Sequence, residues 1–341
     1  MTSPALPLWI SEAEAASLVD MDAAIGALDE ALRLEAAGDA VNMTKTHTAW
    51  PGGSLHAIGA TLRRDGIAVT KTWVNTPRGS TPLVLLFDAA AGRLLAVLEA
   101  FALGQLRTSG ISGIATRALA RGDARTFAII GTGEQALPQA AAVAAVRPIR
   151  SIRVFSRDAA RREAFARRVE ETLGIEASAA SSVADAVRGA DVVTLVTRAT
   201  EPFLTSAMVG RGTHVNAVGA ITPERAEFEP ALLARCAVTA IDNLAQARAL
   251  SAEFMAYFTA GGRDWSGVTP LSALVARGQT RPKDADLTLF KAMGMGISDL
   301  AVGLRCYRTA VERGIGRSIP HPERAALRLE RVHKTSGGVE R

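Results

Sequence analysis

The second half of the chain alternates short apolar runs with Ala- and Arg-rich segments of helical periodicity. The apolar runs are TFAII from Thr126, IRVF from Ile152, VVTLV from Val192, HVNAV from His214 and AVTAI from Ala237. Because parallel strands need long crossover connections, strands that alternate with helices predict a parallel sheet covered on both faces. We therefore predict a doubly wound α/β domain in this part of the chain.

One glycine-rich turn in that domain has the spacing of a dinucleotide fingerprint. It follows the strand TFAII directly, precedes a helix predicted over residues 135–146, and has the form G-x-G-x-x-A. The first glycine permits the tight turn, the second lets a pyrophosphate approach the backbone, and the alanine keeps helix and strand close. The pyrophosphate then binds the free N–H groups of the helix N-terminus. The predicted cofactor-binding residues here are Gly131, Thr132, Gly133, Glu134, Gln135 and Ala136.

The end of the second strand indicates which dinucleotide is bound. An acidic residue at this place binds the ribose hydroxyls of NAD, whereas this chain has Ser156 and Arg157. A hydroxyl and a guanidinium suit the 2′-phosphate of NADP, which a carboxylate repels. Asp158 follows, either as the N-cap of the next helix or as a ribose ligand. NADP(H) is therefore favoured, and NAD(H) stays open as the alternative.

The first part of the chain has a different pattern. Residues 11–37 have helical periodicity, with Asp20 or Asp22 as the candidate cap of a second helix. Four strand-like runs follow between residues 43 and 100. Turn signals such as Pro51-Gly52-Gly53 separate them, which predicts an antiparallel meander.

Helical patterns flank the α/β region on both sides. They cover residues 103–120 and residues 290–313, and a charged tail follows from Ser318. We therefore predict that a Rossmann domain is inserted into a discontinuous α+β domain. The predicted boundaries are residues 1–120 plus 305–341 for the outer domain and residues 121–304 for the Rossmann domain.

The charge pattern argues against a nucleic-acid partner. The chain has 39 basic and 34 acidic residues, a net charge of +5, and only five of the basic residues are lysines. The arginines are scattered among the acids at helical spacing, and no basic run alternates with aromatic residues as nucleic-acid binding requires. The positive field is suited to steering small anions.

Other classes are excluded by what the sequence lacks. It has no run of 18 apolar residues, so we expect no membrane span. The first residues have no basic segment followed by a long apolar core, so we expect no secretory signal. Two cysteines, Cys236 and Cys306, cannot build a disulfide framework or a cysteine-rich zinc site. We expect a cytoplasmic protein without a metal site.

Basic residues are concentrated in the meander and the helix after it. They are Lys45, His47, His56, Lys71 and Arg107. Each one taken alone is explained as a surface charge. Because this chain otherwise prefers arginine to lysine, the group as a whole predicts a carboxylate-binding cluster.

Longer motifs resemble the ornithine cyclodeaminase/μ-crystallin family. The likeness is carried by VTKTWVN around Lys71, LRTSGISGIATRALA from Leu106, FAIIGTGEQA from Phe127, THVNAVGAITPERAEF from Thr213 and FKAMGMGISDLA from Phe290. These motifs span nearly the whole chain. The family includes cyclodeaminases, alanine dehydrogenases, ketimine reductases and Δ1-pyrroline-2-carboxylate reductases. The resemblance implies a homodimer with a Rossmann domain and a discontinuous substrate and dimerisation domain.

The resemblance also implies roles for single residues. Lys71 and Arg107 match the basic residues that bind the substrate carboxylate beside the reacting centre, and we take them as catalytic. Lys45 falls near a third basic position that is usually arginine. The predicted substrate-binding residues are Lys45, His56, Lys71, Arg107 and Thr108. Further cofactor contacts are predicted at Thr197, Val218, Gly219, Met293 and Gly294, and Asp299 lies near the site with a structural role as its alternative.

Two departures from the family pattern bear on function. Cyclodeaminases have an acidic residue two positions after the glycine of the turn at Gly219, whereas this chain has Ile221. Isoleucine has no proton to transfer to or from the distal amine, so cyclodeamination is disfavoured. Gly110 and Gly113 replace residues that are commonly alanine in the family, which implies close packing or an altered substrate pocket.

These observations favour an NAD(P)H-dependent reductase of a cyclic imine or ketimine 2-carboxylate of the Δ1-pyrroline-2-carboxylate type. The partner is then a small 2-carboxylate imine or an amino acid. The alternative enzyme is an amino-acid dehydrogenase that joins a 2-oxo acid to ammonia or a primary amine. A non-catalytic, crystallin-like nucleotide-binding protein is the alternative from another class.

Overall fold

The strands form two sheets in the computed structural model, which describes residues 6–329. The strands of the first sheet are β1 (Leu8–Ile10), β2 (Ala40–Asn42), β3 (Thr46–Trp50), β4 (Gly53–Leu62), β5 (Ile67–Thr76), β6 (Gly79–Ser80), β7 (Leu83–Asp88), β8 (Arg93–Glu99) and β17 (Arg317–Ser318). Those of the second are β9 (Thr126–Ile130), β10 (Ser151–Phe155), β11 (Glu176–Ala179), β12 (Val192–Leu195), β13 (His214–Ala217), β14 (Cys236–Ile241), β15 (Val268–Pro270) and β16 (Leu287–Lys291).

The helices cover both sheets. They are α1 (Glu12–Leu18), α2 (Met21–Ala36), α3 (Phe101–Leu119), α4 (Ala136–Val146), α5 (Ala159–Leu173), α6 (Val183–Val187), α7 (Leu244–Leu250), α8 (Ala252–Phe254), α9 (Leu271–Ala276) and α10 (Gly296–Arg313). Asp20 is the cap of α2, because its side chain accepts a hydrogen bond of 2.8 Å from the Ala23 N–H. Within residues 6–329, no helix has the length and apolar character that a membrane crossing requires.

The first sheet is mixed. Its order is β17-β1-β8-β7-β5-β4-β2, with β3 added on β4 and β6 on β5. The long strands β4, β5, β7 and β8 pair antiparallel in succession, which confirms the predicted meander. β1 joins the sheet parallel to β8.

The second sheet is parallel throughout, with the order β11-β10-β9-β12-β13-β16-β14-β15. The chain enters at β9, moves outward to β11, and then returns to β12 on the other side of β9. In such sheets, ligands bind outside the carboxyl ends of the strands at this reversal point. The predicted Rossmann-type α/β fold is confirmed, and the order places a cleft beside the turn that follows β9.

The helix predicted over residues 290–313 is wrong at its start. Residues 287–291 form strand β16 between β13 and β14, and helix α10 begins at Gly296. All five residues of β16 are buried. A short run that is buried at every position has no periodicity that separates a buried strand from a helix, which explains the error. α10 continues without a break past residues 304 and 305, where the domain boundary was predicted, so the division into domains stays a prediction.

α3 packs between the two sheets. It contacts α2 and α10 on one side and α4, β13 and β16 on the other. A Cβ atom on Gly110 would lie 2.6 Å from Leu28 Cδ1, and one on Gly113 would lie 3.1 Å from the Ala142 carbonyl oxygen. Of the two explanations for these glycines, the structure supports close packing, because larger residues would hold α3 away from its neighbours.

A buried polar network ties α3 to the parallel sheet. The Asn216 amide nitrogen donates to Thr116 Oγ1 of α3 at 2.9 Å, so its Oδ1 accepts from His214 Nε2 at 3.1 Å. The other ring nitrogen of His214 lies 3.0 Å from Thr288 Oγ1. His214 and Asn216 are fully buried, and burial lowers the pKa of His214 to about 3, so the ring is neutral at ordinary pH.

Candidate functional site

A cleft of about 1170 Å³ lies at the carboxyl ends of the parallel strands and is closed on its other side by α3 and the mixed sheet. The predicted site residues that line it are Lys45, Arg107, Thr108, Gly131, Thr132, Gly133, Glu134, Gln135, Ser156, Arg157, Thr197, Val218, Gly219, Met293 and Gly294. The predicted cofactor residues and most of the substrate residues therefore face one cavity. Ala136, Lys71 and His56 lie behind its walls.

The glycine-rich turn fits a pyrophosphate. Gly131 has φ +117°, and a Cβ atom there would lie 2.5 Å from the Val196 carbonyl oxygen, so glycine is required. A Cβ atom on Gly133 would meet no atom within 4 Å, which leaves open space in front of the backbone. No side chain caps the N-terminus of α4, where Gln135 is the N-cap and the buried Ala136 is the first helical residue. The N–H groups at this end are oriented for an anion.

The segment after β10 carries two cations into the cleft. Arg157 and Arg161 both line it. Asp158 is the N-cap of α5 and accepts from the Arg161 N–H at 3.0 Å. Ser156 Oγ donates to the Asp158 carbonyl oxygen at 3.1 Å. Asp158 Oδ1 is therefore engaged by the helix that it caps, and its Oδ2 lies 3.7 Å from Arg161 Nε. Within residues 6–329, no carboxylate lies within 4.0 Å of the exposed Arg157 guanidinium, which remains for a ligand.

Glu227 holds together the two loops that follow β12 and β13. Its Oε1 accepts from the backbone N–H of Thr197 at 2.6 Å and from the Thr197 hydroxyl at 2.8 Å. Its Oε2 accepts from the N–H groups of Gly219 and Ala220 at 2.8 and 3.1 Å. A Cβ atom on Gly219 would lie 2.1 Å from the Thr197 carbonyl oxygen, so the loops are in direct contact. Glu227 thus fixes the part of the cleft where Thr197 and Gly219 are exposed.

The charge of this buried carboxylate is partly balanced by Lys291. The lysine Nζ donates to the Ala220 carbonyl oxygen at 2.6 Å and lies 3.5 Å from Glu253 Oε2. All three charged side chains are fully or almost fully buried. Burial raises the pKa of Glu227, while Lys291 and the N–H donors of the two loops lower it. The donors favour the ionised carboxylate that the geometry requires.

Asp242 plays a similar part on the other side of the cleft. It follows β14, lines the cavity, and accepts from the N–H groups of Met293 and Gly294 at 2.7 and 2.8 Å. Gln246 donates to the Gly294 carbonyl oxygen at 2.9 Å. Burial raises the pKa of Asp242, and the two backbone donors lower it. The loop that was predicted to border the nicotinamide is thereby held in one conformation.

Arg107 meets this loop from α3. A Cβ atom on Gly294, whose φ is +88°, would lie 3.3 Å from Arg107 Nη1. Arg107 Nε lies 3.4 Å from Asp299 Oδ1, and Lys71 Nζ donates to the same oxygen at 3.0 Å. Lys71 and Asp299 are buried, so the structure brings the two predicted catalytic residues together around one carboxylate. Arg107 reaches the cavity, whereas Lys71 lies behind it.

His56 lies in the mixed sheet and not on the cavity wall. Its ring stacks between His47 and Trp73, with centroid distances of 5.5 and 4.8 Å, and its Nε2 lies 2.7 Å from Ser54 Oγ. Burial lowers the pKa of His56, and Lys45 lowers it further, so the ring is neutral. Trp73, the outer member of this stack, does line the cavity.

Several residues of the cleft were not predicted. Asp242 directly follows the predicted strand AVTAI, so its place at a strand end was a usable signal. Trp73 lies two residues after Lys71, and therefore on the same face of β5. Glu227 is in a loop ten residues beyond β13, and no local pattern indicates that its carboxylate folds back under two other loops.

Comparison with known proteins agrees with this architecture. The Δ1-pyrroline-2-carboxylate reductase of Bacillus cereus is 33% identical over 239 residues, which cover 70% of this chain and 73% of that protein. The structure of the Δ1-pyrroline-2-carboxylate reductase of Thermococcus litoralis in complex with NADH and L-proline superposes with a TM-score of 0.87 at 26% identity. It covers 92% of this chain and 100% of that one.

An archaeal alanine dehydrogenase dimer with bound NAD is similar to the same extent. Its TM-score is 0.85 at 30% identity, with 92% of this chain and 98% of that chain covered. The model of the ornithine cyclodeaminase/mu-crystallin family matches residues 8–314. The fold, the cleft and these similarities lead to one assignment: the chain belongs to the ornithine cyclodeaminase/mu-crystallin family.

Proposed function

We propose that this protein reduces a cyclic imine or ketimine that carries a 2-carboxylate, and that it uses NAD(P)H to form the amino acid. One observation carries the proposal: Arg107 lies beside Gly294 in the same cleft that the glycine-rich turn enters. A carboxylate held by this guanidinium places the neighbouring imine carbon next to the loop at Met293 and Gly294. Relatives named as Δ1-pyrroline-2-carboxylate reductases support the substrate class.

The chain's own residues bind and orient the substrate. Arg107 offers two N–H groups to the carboxylate in a planar, charge-assisted contact. Asp299, which is bound by Lys71, lies 3.4 Å from Arg107 Nε and holds the guanidinium in place from behind. The bound dinucleotide supplies the hydride. Fixing the imine carbon against the cofactor removes much of the entropic barrier to the transfer.

We also propose that NADP(H) is preferred to NAD(H). Arg157 and Arg161 line the cleft where the adenosine ribose of a dinucleotide ends in this fold, and Asp158 is occupied as a helix cap. Asp158 also lines the cleft, but both of its oxygens have Arg161 as a neighbour, which leaves the Arg157 guanidinium for a 2′-phosphate. The relatives in solved complexes hold NADH or NAD, so cofactor choice in this chain depends on its own segment after β10.

A homodimer is the proposed assembly. Large apolar side chains are exposed on the three antiparallel strands β3, β4 and β5. Trp50 and Leu55 are each 44% exposed, and Val74 is 41% exposed. Exposed apolar patches on a strand hairpin mark contact surfaces. The alanine dehydrogenase relative is described as a dimer. Light scattering on the purified protein tests this, and a stable monomer at micromolar concentration contradicts it.

An amino-acid dehydrogenase is the second candidate, because an alanine dehydrogenase is 30% identical over nearly the whole chain. Cyclodeamination is disfavoured, since Ile221 lines the cleft at the place where cyclodeaminases have an acid. A panel of substrates with both cofactors decides between them. We expect NADPH oxidation with Δ1-pyrroline-2-carboxylate or Δ1-piperideine-2-carboxylate to exceed that with pyruvate plus ammonia or methylamine. Efficient release of ammonia from ornithine would overturn the assignment.

A further inference from the structure

The three basic side chains near the substrate end of the cleft differ in what they contact. Lys71 is bound to Asp299, and Arg107 lies beside the same carboxylate. Lys45 lines the cavity, and within residues 6–329 no carboxylate lies within 4.0 Å of its Nζ. Lys45 and Arg107 both reach the cleft, but of these two only Arg107 lies within 4.0 Å of a carboxylate of the described residues.

The backbone that carries Lys45 is firmly held. Asn42, three residues earlier, accepts from the Ile297 N–H at 3.0 Å, which joins β2 to the start of α10. The next residue, Met43, donates from its N–H to the Gly59 carbonyl oxygen at 2.8 Å. The loop that carries Lys45 is thus attached to both α10 and β4, so the backbone position of Lys45 relative to the cleft is fixed.

The charged groups around Lys45 come from every neighbouring element. Arg107 of α3 and Lys71 of β5 repel its ammonium charge, whereas Asp242 after β14 and Asp299 of α10 attract it. The neutral His56 of β4 is a further titratable neighbour, and the ring of His47 of β3 stacks on it at a centroid distance of 5.5 Å. Burial is the largest effect and lowers the pKa of Lys45. A lysine in this state releases its proton more readily than an exposed one.

The other groups at this end are less able to give a proton to a bound substrate. The Nε2 of His56 is engaged by Ser54, and the ring lies behind the wall of the cavity. The Lys71 ammonium is directed to Asp299, and both oxygens of Asp242 accept backbone N–H groups. Arg107 is a guanidinium, which does not act as an acid in proteins.

We propose that Lys45 is the proton donor to the imine nitrogen in the reduction. This rests on the proposed function, and it assigns to Lys45 a step that a carboxylate anchor does not perform. As the imine carbon accepts the hydride, the electron pair of the C=N π bond moves to nitrogen, and a new N–H bond forms with a proton from Lys45 Nζ. Lys45 is left as a neutral amine and regains a proton from water in the open cleft.

Lys45→Arg separates the two roles, because it keeps a cation for the carboxylate but holds its proton at every working pH. We expect KM for the imine to change less than about threefold, and kcat to fall on the order of 10²- to 10⁴-fold, the usual contribution of a positioned acid. In the wild type, kcat falls at alkaline pH as Lys45 loses its proton, and Lys45→Arg lacks this limb. Lys283→Arg, at an exposed lysine outside the cleft, is the matched control.

Chemical rescue gives a second test. Lys45→Ala should regain activity with added ethylammonium in proportion to its concentration, and guanidinium at the same concentration should have no effect. Wild-type kcat and an unchanged alkaline limb in Lys45→Arg would overturn the proposal and leave Lys45 as an anchor. In that case the wild type still reduces imines, whereas a wild type inactive on every imine instead contradicts the proposed function.

A measurement without turnover is also available, since the chain has only five lysines. In protein labelled with ¹³C at lysine Cε, the signal that disappears in Lys45→Arg reports the titration of Lys45. We expect its pKa below the ordinary lysine value of 10.5 and a shift when pyrrole-2-carboxylate, a planar analogue, enters the cleft. An ordinary pKa with no response to the analogue would overturn the proposal.

Discussion

Lys71 and Asp299 form a buried ion pair, with Nζ 3.0 Å from Oδ1, and Arg107 reaches the cavity from beside the same oxygen. Burial lowers the pKa of Lys71, whereas Asp299 raises it. A buried carboxylate beside two basic side chains favours their charged forms, and one carboxylate between two cations leaves a net positive charge for an anionic substrate.

Removing either cation should therefore affect substrate rather than cofactor. We expect Arg107→Ala to lower kcat/KM for 2-carboxylate imines at least about 10-fold, the loss of one charge-assisted contact with the carboxylate. Lys71→Ala should also lower kcat/KM, because it removes the buried partner of the Asp299 carboxylate that lies beside Arg107. NADPH affinity, measured by fluorescence titration, should change little because the dinucleotide turn is separate. Arg107→Lys should also be poor, since a point charge does not reproduce a planar two-pronged contact. An equal loss of NADPH affinity would show that the cations serve the cofactor.

Arg157 tests the choice of dinucleotide. We expect Arg157→Ala to weaken NADPH binding by about 1.5–3 kcal/mol, the value of a hydrogen bond to a charged group, and NADH binding far less. Calorimetric titration with each cofactor measures both. Equal losses would mean that Arg157 does not contact a 2′-phosphate.

Glu227 should be required for the order of the cleft although it lies beneath it. In Glu227→Gln, the amide NH2 group faces backbone N–H donors, so we expect the free energy of unfolding to fall by about 2–3 kcal/mol. NADPH affinity should fall as well, because the amide has one accepting oxygen and either Thr197 or Gly219 loses its acceptor. Glu224→Gln, an exposed change in the same segment, is the control and should leave both unchanged. Denaturant titration and fluorescence binding provide the two values.

The buried His214 should make the stability of the fold depend on pH. Its pKa is about 3 in the folded protein and 6.5 in the unfolded chain, so the unfolded state takes up the proton first. Protonation of His214 has no effect on the free energy of unfolding above pH 6.5. As the pH falls toward 3, it lowers that free energy progressively, by up to about 1.4 kcal/mol per pH unit. Denaturant titrations between pH 7 and 5 should show a steeper loss in the wild type than in His214→Gln. Identical slopes would contradict a neutral, buried ring.

Two helical glycines should respond in opposite ways to alanine. A Cβ atom on Gly26 of α2 would meet no atom within 4 Å, so Gly26→Ala should stabilise the fold by about 0.5–1 kcal/mol. Gly113→Ala gains the same helix propensity but places its Cβ 3.1 Å from a backbone oxygen of α4. We expect its thermal midpoint to fall below that of the wild type. A rise in both variants would show that α3 and α4 separate at little cost.

Much of this architecture was predictable from local patterns. The parallel strands that alternate with helices are determined by residues close together in the sequence, and so is the glycine-rich turn after β9. The structure has both where the sequence predicts them. Strand β16 was not, because LTLFK is buried at every position and only its partners β13 and β14 identify it as a strand. β13 and β14 lie far from β16 in the sequence, so a local pattern does not reveal this pairing.

The site divides in the same way. Ser156 was predicted from its place at a strand end and Gly219 from the family resemblance, and both line the cleft. The contacts of Asp299 with Lys71 and of Glu227 with Gly219 depend on how helix α10 and the loops return to the cleft. The sequence marked Lys71 as unusual, but its burial and its pairing with Asp299 depend on tertiary structure.

The packing of α3 between the sheets has a consequence for how the chain tolerates insertions. Arg107 lies in this helix beside the cleft, and Thr116 of the same helix is bound to Asn216 of β13. Thr116 is nine positions after Arg107 in this helix, which is about 13.5 Å along the axis. One residue added between them would turn Arg107 by about 100° around the helix, because Thr116 holds the other end in place. The number of residues in α3 therefore sets the distance between the parallel sheet and Arg107.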